Sequence, residues 1–143
     1  MNKYFFLLAL SFSLISCTAS RNEPQAITHL SLFDTTWNLV EINQKVIDTA
    51  KATKKPRIQF SKKEMKATGS NGCNSFFATF DTVEERLSFG PVGATRMACQ
   101  DWMENEMAFL AMLQAAQRYA IDGYTLLIMD GNGQEIGKFL AAD

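Results

Sequence analysis

The chain has 143 residues, of which 47% are hydrophobic and eleven are phenylalanine, so it holds enough apolar material for one domain with a core. It has 14 Lys and Arg against 15 Asp and Glu, giving a formal net charge of −1. This balance excludes the broad positive field that nucleic-acid binding requires, and no nucleic-acid partner is expected.

The N-terminus has the features of an export signal. Lys3 precedes an uncharged, Phe- and Leu-rich stretch from Tyr4 to Ile15, which is shorter than the about 20 apolar residues needed to span a membrane. The stretch ends in Leu-Ile-Ser-Cys, which resembles the bacterial lipoprotein signal, in which the cysteine becomes the lipidated first residue. We predict a signal peptide over residues 1–16 and lipid on Cys17. An ordinary secretory peptide or a buried N-terminal helix is the alternative.

Residues 17–33 are interpreted as the lipidated N-terminus and a polar tether. The stretch contains Pro24 and shows no hydrophobic period. Lipid on Cys17 would attach the protein to a membrane, and we predict a location in the cell envelope, on the periplasmic side of the outer membrane. A monomer is expected, and the sequence indicates no particular protein partner.

Residues 34–143 are predicted to form one domain that begins with a strand. The segment TTWNLVEIN, residues 35–43, places Trp37, Leu39 and Glu41 on one face. A turn at Asn43-Gln44 then leads into a short returning strand.

Further strands follow from alternating apolar residues. They are RIQFS (57–61), EMKATG (64–69), SFFATFD (75–81) and RLSFG (86–90). In the second of these, Met65 and Ala67 are predicted to face inward. Pro91 and Gly93 are expected to end the last one, and ATRMAC (94–99) is expected to be short and extended.

One long helix is predicted over residues 101–118. Asp101 is a favoured N-cap residue, and Glu104, three residues later, can close a capping box. A stripe on this helix is interpreted as core packing. It comprises Trp102, Glu106, Phe109, Leu113 and Ala116, with Met103, Met107 and Leu110 beside it.

Glu106 is a carboxylate on this mostly apolar face. A buried carboxylate is costly without hydrogen-bond donors. We therefore predict that Glu106 is partly buried and meets backbone amides of the 69–74 turn or Arg96. A catalytic acid is the alternative.

The tail is predicted to return to strands. The segments YAID (119–122), TLLIMD (125–130) and QEIGKFLA (134–141) are joined by turns at Gly123 and at DGNG (130–133). Strands, one helix and strands again indicate an α+β fold that is mainly β. Because sheet edges have to be covered or closed, we predict a curled antiparallel β meander, barrel-like, with one packed α-helix.

These landmarks together resemble the META domain family, over most of the chain after the tether. The most specific pair is GSNGCNSFFATF and, about twenty-five residues later, ATRMACQ, after the opening TWNLVEIN and before the closing LLIMDGNGQEIGKF. The resemblance implies a small antiparallel β fold with one helix, links to stress response, drug tolerance and, in protozoa, virulence, and no established enzymatic activity. We single out a structural motif of Trp37, Asn71, Gly72, Asn74, Thr95, Met97 and Glu106.

With Cys17 assigned to lipid, Cys73 and Cys99 remain in the exported domain. Thiols outside the cytoplasm tend to be oxidised, and an even pair is read first as a disulfide. Two buried free thiols acting as small hydrophobic groups are the alternative. Because the only histidine, His29, lies in the tether, neither a Cys–His dyad nor a zinc site is supported.

We therefore predict a non-enzymatic, lipid-anchored envelope protein that acts in envelope stress or drug tolerance, with no catalytic residue, metal or cofactor. The alternative is a periplasmic module that binds small hydrophobic ligands. A curled β meander can leave a cavity. Its predicted lining is Trp37, Phe60, Phe76, Phe89 and Phe109.

Overall fold

The computed structural model describes residues 30–142, and the predicted signal peptide and Cys17 lie outside this range. The strands are β1 (Thr36–Ile42), β2 (Lys45–Val46), β3 (Arg57–Ser61), β4 (Lys66–Ser70), β5 (Ser75–Val83), β6 (Arg86–Ala94), β7 (Arg118–Asp122), β8 (Thr125–Met129) and β9 (Glu135–Ala141). Helix α1 is Met103–Ala115, and short 3-10 turns cover Thr49–Lys51 and Gln100–Trp102.

The strands form one antiparallel sheet in the order β2-β1-β3-β4-β5-β6-β7-β8-β9. Strand β1 also pairs with β9, so the sheet curls round and closes in a ring. Helix α1 packs against β6 and β1. The predicted class, mainly β with one packed helix, is confirmed.

The core fills the space between the ring and the helix. Its aromatic rings touch one another: the Phe60 and Phe80 centroids lie 5.2 Å apart, as do those of Phe76 and Phe109. Among residues 30–142, the members of this buried cluster extend from Leu32 to Phe139. Leu32, from the stretch interpreted as tether, belongs to the cluster.

A bulge changes the inward face of β1 partway along the strand. The pairing of β1 with β9 shifts register between Leu39 and Glu41. Trp37 and Leu39 are buried as predicted, but the extra residue turns Ile42 inward and Glu41 toward Lys138, whose Nζ donates to Glu41 Oε1 at 3.0 Å. The prediction that Glu41 shares the inward face was wrong.

Residues with positive φ form two of the hairpin turns. Asn43 and Gln44, with φ of 49° and 64°, make the predicted turn between β1 and β2. Met65, with φ of 50°, belongs to the turn before β4 and is 37% exposed. The prediction that Met65 faces inward was wrong, and the alternation begins at Ala67.

Strand β6 continues through Pro91 instead of ending before it. The register between β5 and β6 shifts between Ala78 and Phe80, which sets Gly90 and Pro91 opposite Thr79. A bulge leaves one residue without a ladder hydrogen bond. Because Pro91 lies in the bulge, its missing N–H removes no hydrogen bond from the sheet.

The helix begins later and ends earlier than predicted. Asp101 lies in the preceding 3-10 turn, and the N-cap of α1 is Trp102, which makes no side-chain capping bond. Trp102 has non-helical backbone angles, with φ of −122° and ψ of −4°, and its side chain is buried, with 1% exposed. Strand β7 starts at Arg118, inside the predicted helix. Within residues 30–142, no helix is long and apolar enough to cross a membrane.

Candidate functional site

The loop between β4 and β5 is organised by one asparagine. Asn71 Oδ1 accepts hydrogen bonds from the backbone N–H groups of Cys73, at 3.1 Å, and Asn74, at 2.7 Å. The Asn71 N–H donates to the Asn74 carbonyl at 3.0 Å. The Asn71 side chain thereby replaces backbone partners in a buried turn, a role for which Asn is well suited.

A tryptophan lies directly against this loop. Trp102 Nε1 donates to the Asn71 carbonyl at 2.7 Å. Gly72 adopts a φ of +102°, and a Cβ at this position would lie 2.1 Å from Trp102 Nε1. The loop therefore requires glycine both for its backbone conformation and for the space that the indole occupies.

Asn74 connects the loop to the segment before the helix. Its Oδ1 accepts from Thr95 Oγ1 at 2.8 Å and from the Met97 N–H at 2.7 Å. Its Nδ2 donates to the Met97 carbonyl at 3.2 Å and to Glu106 Oε1 at 2.7 Å. This buried amide uses its two acceptor and two donor sites.

Glu106 is partly buried and receives hydrogen bonds from the loop. Its Oε1 accepts from Nδ2 of Asn71, at 3.1 Å, and of Asn74, at 2.7 Å. These partners are side-chain amides and not the predicted backbone amides or Arg96. The N–H groups of Cys73 and Asn74 are already taken by Asn71, and that of Gly72 donates to Ser70 Oγ at 3.1 Å.

The predicted disulfide is present. Cys73 and Cys99 are bonded with their Cα atoms 6.0 Å apart and a sequence separation of 26, so the alternative of two free thiols was wrong. The bond joins the β4–β5 loop to the residues just before the 3-10 turn. A thiolate nucleophile at Cys73 is excluded while the bond is intact.

The structure thus brings most of the predicted motif together. We use the name asparagine–glutamate cluster for Asn71, Gly72, Asn74, Thr95, Met97 and Glu106 with the disulfide. Trp37 takes no part in the cluster: it is buried in the core, and its Nε1 donates to the Leu32 carbonyl at 3.1 Å. Trp102 lies beside the cluster and donates to the Asn71 carbonyl. The sequence predicts only core packing for Trp102, because a helical stripe does not reveal the hydrogen bond of the indole.

The buried hydrogen-bonding groups of the cluster have partners within the domain. No buried side-chain nitrogen or oxygen in residues 30–142 lacks a partner. Over the same residues, no three His, Cys, Asp or Glu side chains are grouped to hold a metal ion. The arrangement therefore holds two chain segments and the helix together.

The aromatic residues predicted to line a ligand cavity pack against one another or the core. The ring of Phe60 packs against Phe80, and that of Phe76 packs against Phe109. The ring centroids of Phe60 and Phe89 lie 6.0 Å apart. Trp37 and Phe109 belong to the same buried cluster. These side chains fill the interior of the ring.

Comparison with known proteins gives concordant results. A family model, the META domain, matches residues 30–143. A search of curated proteins gives no match. An NMR structure of a protein from Burkholderia xenovorans is similar at 22% identity, with a TM-score of 0.63 and 99% of each chain covered.

A second solved structure supports the same fold. The crystal structure of a DUF4847 family protein from Bacteroides vulgatus ATCC 8482 is similar at 16% identity, with a TM-score of 0.50, covering 73% of this chain and 90% of that one. At these identities the likeness concerns the fold alone. The family model covers most of the sequence, and the chain belongs to the META domain family.

Proposed function

We propose that this META domain protein is a non-enzymatic, lipid-anchored protein of the cell envelope that acts in tolerance of envelope stress or drugs. One observation carries the anchor: an uncharged apolar stretch ends in Leu-Ile-Ser-Cys at Cys17. The Cys73–Cys99 disulfide supports export, because such bonds persist in oxidising compartments.

The asparagine–glutamate cluster supports a non-enzymatic role. A catalytic acid needs a position from which it can reach a substrate proton. Glu106 Oε1 instead accepts from Asn71 and Asn74, and Cys73 is held in a disulfide. These groups are used to hold the domain together.

The anchor is tested by the substitution Cys17→Ser. Expressed in a bacterial host that processes lipoproteins, the wild-type protein is expected in the membrane fraction and labelled by a radioactive fatty acid. The Cys17→Ser protein should carry no label and should leave the membrane fraction when the membranes are washed in about 1 M salt, which screens charge contacts, because the acyl chains supply the salt-resistant membrane affinity. Both properties are measured by fractionation and autoradiography.

The double variant Cys73→Ala/Cys99→Ala is the matched control. It removes two cysteines but leaves Cys17, so it should keep both the label and the membrane location. A Cys17→Ser protein that still sediments with salt-washed membranes after removal of its signal contradicts the anchor.

The role in tolerance is tested in the organism that encodes the chain. A deletion strain is expected to survive heat or envelope-directed drugs less well, and the wild-type protein should restore survival. The Cys17→Ser protein should restore it poorly. Unchanged survival of the deletion strain under these stresses contradicts this part of the proposal.

A further inference from the structure

A basic cleft lies on the outer surface of the sheet, where β3, β4 and β5 meet the loop before β3. Its volume is about 440 Å³. It is lined by Lys54, Lys55, Arg57, Gln59, Thr68, Gly69, Ser70 and Ser75. Three cations and four hydroxyl or amide side chains line this cleft, and no carboxylate does.

Strand register and a hydrogen bond bring the polar groups of the cleft together. Arg57 pairs with Ser70, and Ser70 pairs with Ser75, so these three residues form one row across the sheet. Lys54 Nζ donates to Ser75 Oγ at 3.1 Å. The Lys54 backbone N–H also donates to the Gly72 carbonyl at 3.0 Å, which ties the lysine-bearing loop to the asparagine–glutamate cluster.

Within residues 30–142, no ion pair neutralises the positive charges of the cleft. The ion pairs found in residues 30–142 involve Arg118 and Lys138 and none of the cleft cations. Lys and Arg beside hydroxyl groups are common partners of phosphate oxygens. The cleft therefore suits a phosphate-bearing anion.

An exposed aromatic side chain borders the cleft. Phe77 follows Ser75 by two residues on the outward face of β5 and pairs with Thr68. Its ring approaches Gly93, where an added Cβ would lie 2.4 Å from Phe77 Cζ, yet the residue is 60% exposed. A phenylalanine beside several cations is typical of surfaces that contact a membrane interface.

We propose that the basic cleft and Phe77 form a docking surface for the headgroups of anionic phospholipids. Lys54, Lys55 and Arg57 contact the phosphate groups, and Phe77 enters the interfacial region. This inference rests on the proposed anchor for its biological setting: the lipid on Cys17 brings the domain to the membrane, and the cleft fixes which face of the domain meets it. Two weak contacts together hold a protein much more firmly than either alone.

The test uses the full chain with the substitution Cys17→Ser, after removal of its signal, so that no acyl chain contributes to membrane binding. Its partition onto vesicles is measured by co-sedimentation in about 0.1 M salt, where charge interactions over about 10 Å persist. We expect binding to vesicles that contain phosphatidylglycerol, weaker binding as salt rises, and little binding to vesicles of phosphatidylcholine alone.

The triple variant Lys54→Gln/Lys55→Gln/Arg57→Gln should bind about one hundredfold more weakly, since each cation near an anionic surface is worth close to a factor of five. The matched control, Lys45→Gln/Lys63→Gln/Arg86→Gln, removes the same number of positive charges outside the cleft. At the same salt concentration, which screens charges beyond about 10 Å, it should bind within about threefold of the wild type. The variant Phe77→Ser should bind more weakly than the wild type. If the triple variant unfolds, Lys54→Gln/Lys55→Gln tests the same loop without altering the sheet.

Three results would overturn the docking surface. They are equal binding to both kinds of vesicle, equal loss in the two triple variants, and binding of inorganic phosphate without binding of vesicles. Because the Cys17→Ser protein carries no lipid, these outcomes are independent of the anchor, which is tested separately by fatty-acid labelling of the wild-type protein.

Discussion

At the scale of single residues, the domain depends on two buried asparagines that each use both ends of the side-chain amide. Asn71 shapes its own loop through Oδ1 and reaches Glu106 through Nδ2. Asn74 binds the Met97 backbone with both ends and shares the same carboxylate oxygen. At either position Asp would match the shape of Asn but lack its N–H donors. Gln would keep the donors, but its side chain is one methylene longer and would place them elsewhere.

The variants Asn74→Asp and Glu106→Gln separate these contributions. In Asn74→Asp a carboxylate replaces the donor to Glu106 Oε1 and the Met97 carbonyl, so acceptor faces acceptor, and we expect a loss of about 3 kcal/mol or more in the free energy of unfolding. Glu106→Gln keeps an accepting oxygen and should lose about 1 kcal/mol. Urea unfolding measures both. Equal losses in the two variants would argue against the assigned donors.

The variant Gly72→Ala tests the contact between the loop and Trp102. A Cβ would lie 2.1 Å from Trp102 Nε1, at a φ of +102° that an L-residue rarely adopts, so the indole or the loop has to move. We expect a loss of about 3 kcal/mol by urea unfolding. Gly133→Ala is the matched control, because Gly133 has a φ of +79° with nothing within 4 Å of the added carbon, and it should lose only about 1 kcal/mol.

At the scale of the elements, bulges decide which side chains face inward. The one in β1 turns Glu41 outward to Lys138, and the one between β5 and β6 accommodates Pro91. Each bulge places one extra residue in one of two paired strands, and the pairing continues on either side of it. The outward Glu41 then pairs across the β1–β9 seam that closes the ring.

The β1–β9 seam should respond to alkaline pH. The hydrogen bond with Glu41 raises the pKa of Lys138 above 10.5, with Glu135 acting in the same direction. A raised lysine pKa stabilises the fold below the unfolded pKa, and this contribution is lost as pH rises through the folded value. Glu41→Gln should therefore lower the Tm relative to the wild type near pH 8, and the difference should shrink as the pH rises past 10.5 and through the raised pKa of Lys138. A difference that stays constant across this range would exclude the ion pair as its source.

The sequence predicts a strand well where the alternation of apolar residues determines which side chains face inward. It predicts a strand poorly where the register with a neighbouring strand determines this. Strand β3 and β5 alternate inward and outward residues, and both are found close to their predicted positions. The bulges escape such reasoning because an extra residue is visible only against the register of the neighbouring strand. The helix boundary was missed because Trp102 is buried against Asn71, a contact between residues 31 positions apart.

The same reasoning applies to the candidate site. The disulfide was predicted from the parity of the cysteines and from the predicted export signal, which are features of the whole chain and not of a local pattern. The partners of Glu106 lie 35 and 32 positions away, and no local pattern pairs a helix carboxylate with two loop asparagines. The predicted partners failed because the loop amides are used within the loop itself.

At the scale of the whole molecule, the closed ring and the disulfide both join distant parts of the chain. The Cys73–Cys99 bond spans 26 positions and connects the β4–β5 loop to the approach to α1. The asparagine–glutamate cluster surrounds the same junction. The junction therefore has one covalent and several hydrogen-bonded connections.

The double variant Cys73→Ala/Cys99→Ala should remain folded but lose about 3–4 kcal/mol of unfolding free energy, because the unfolded chain gains the freedom that the closed loop had removed. Urea unfolding of the variant and of the wild type, without reductant, measures the difference. A loss below about 1 kcal/mol would mean that the unfolded state keeps the two segments near each other without the bond.

The pairing of β1 with β9 also has a consequence for how the protein is made. Ribosomes deliver β1 before the other strands and β9 after them, and Glu41 and Lys138, 97 positions apart in sequence, become neighbours only once β9 has been made. Until then, β1 and β8 each present an open hydrogen-bonding edge on which another chain could pair. A nascent or truncated chain that lacks β9 is therefore a substrate for chaperones or for aggregation, and the pairing of β9 with β1 and β8 protects the product from both.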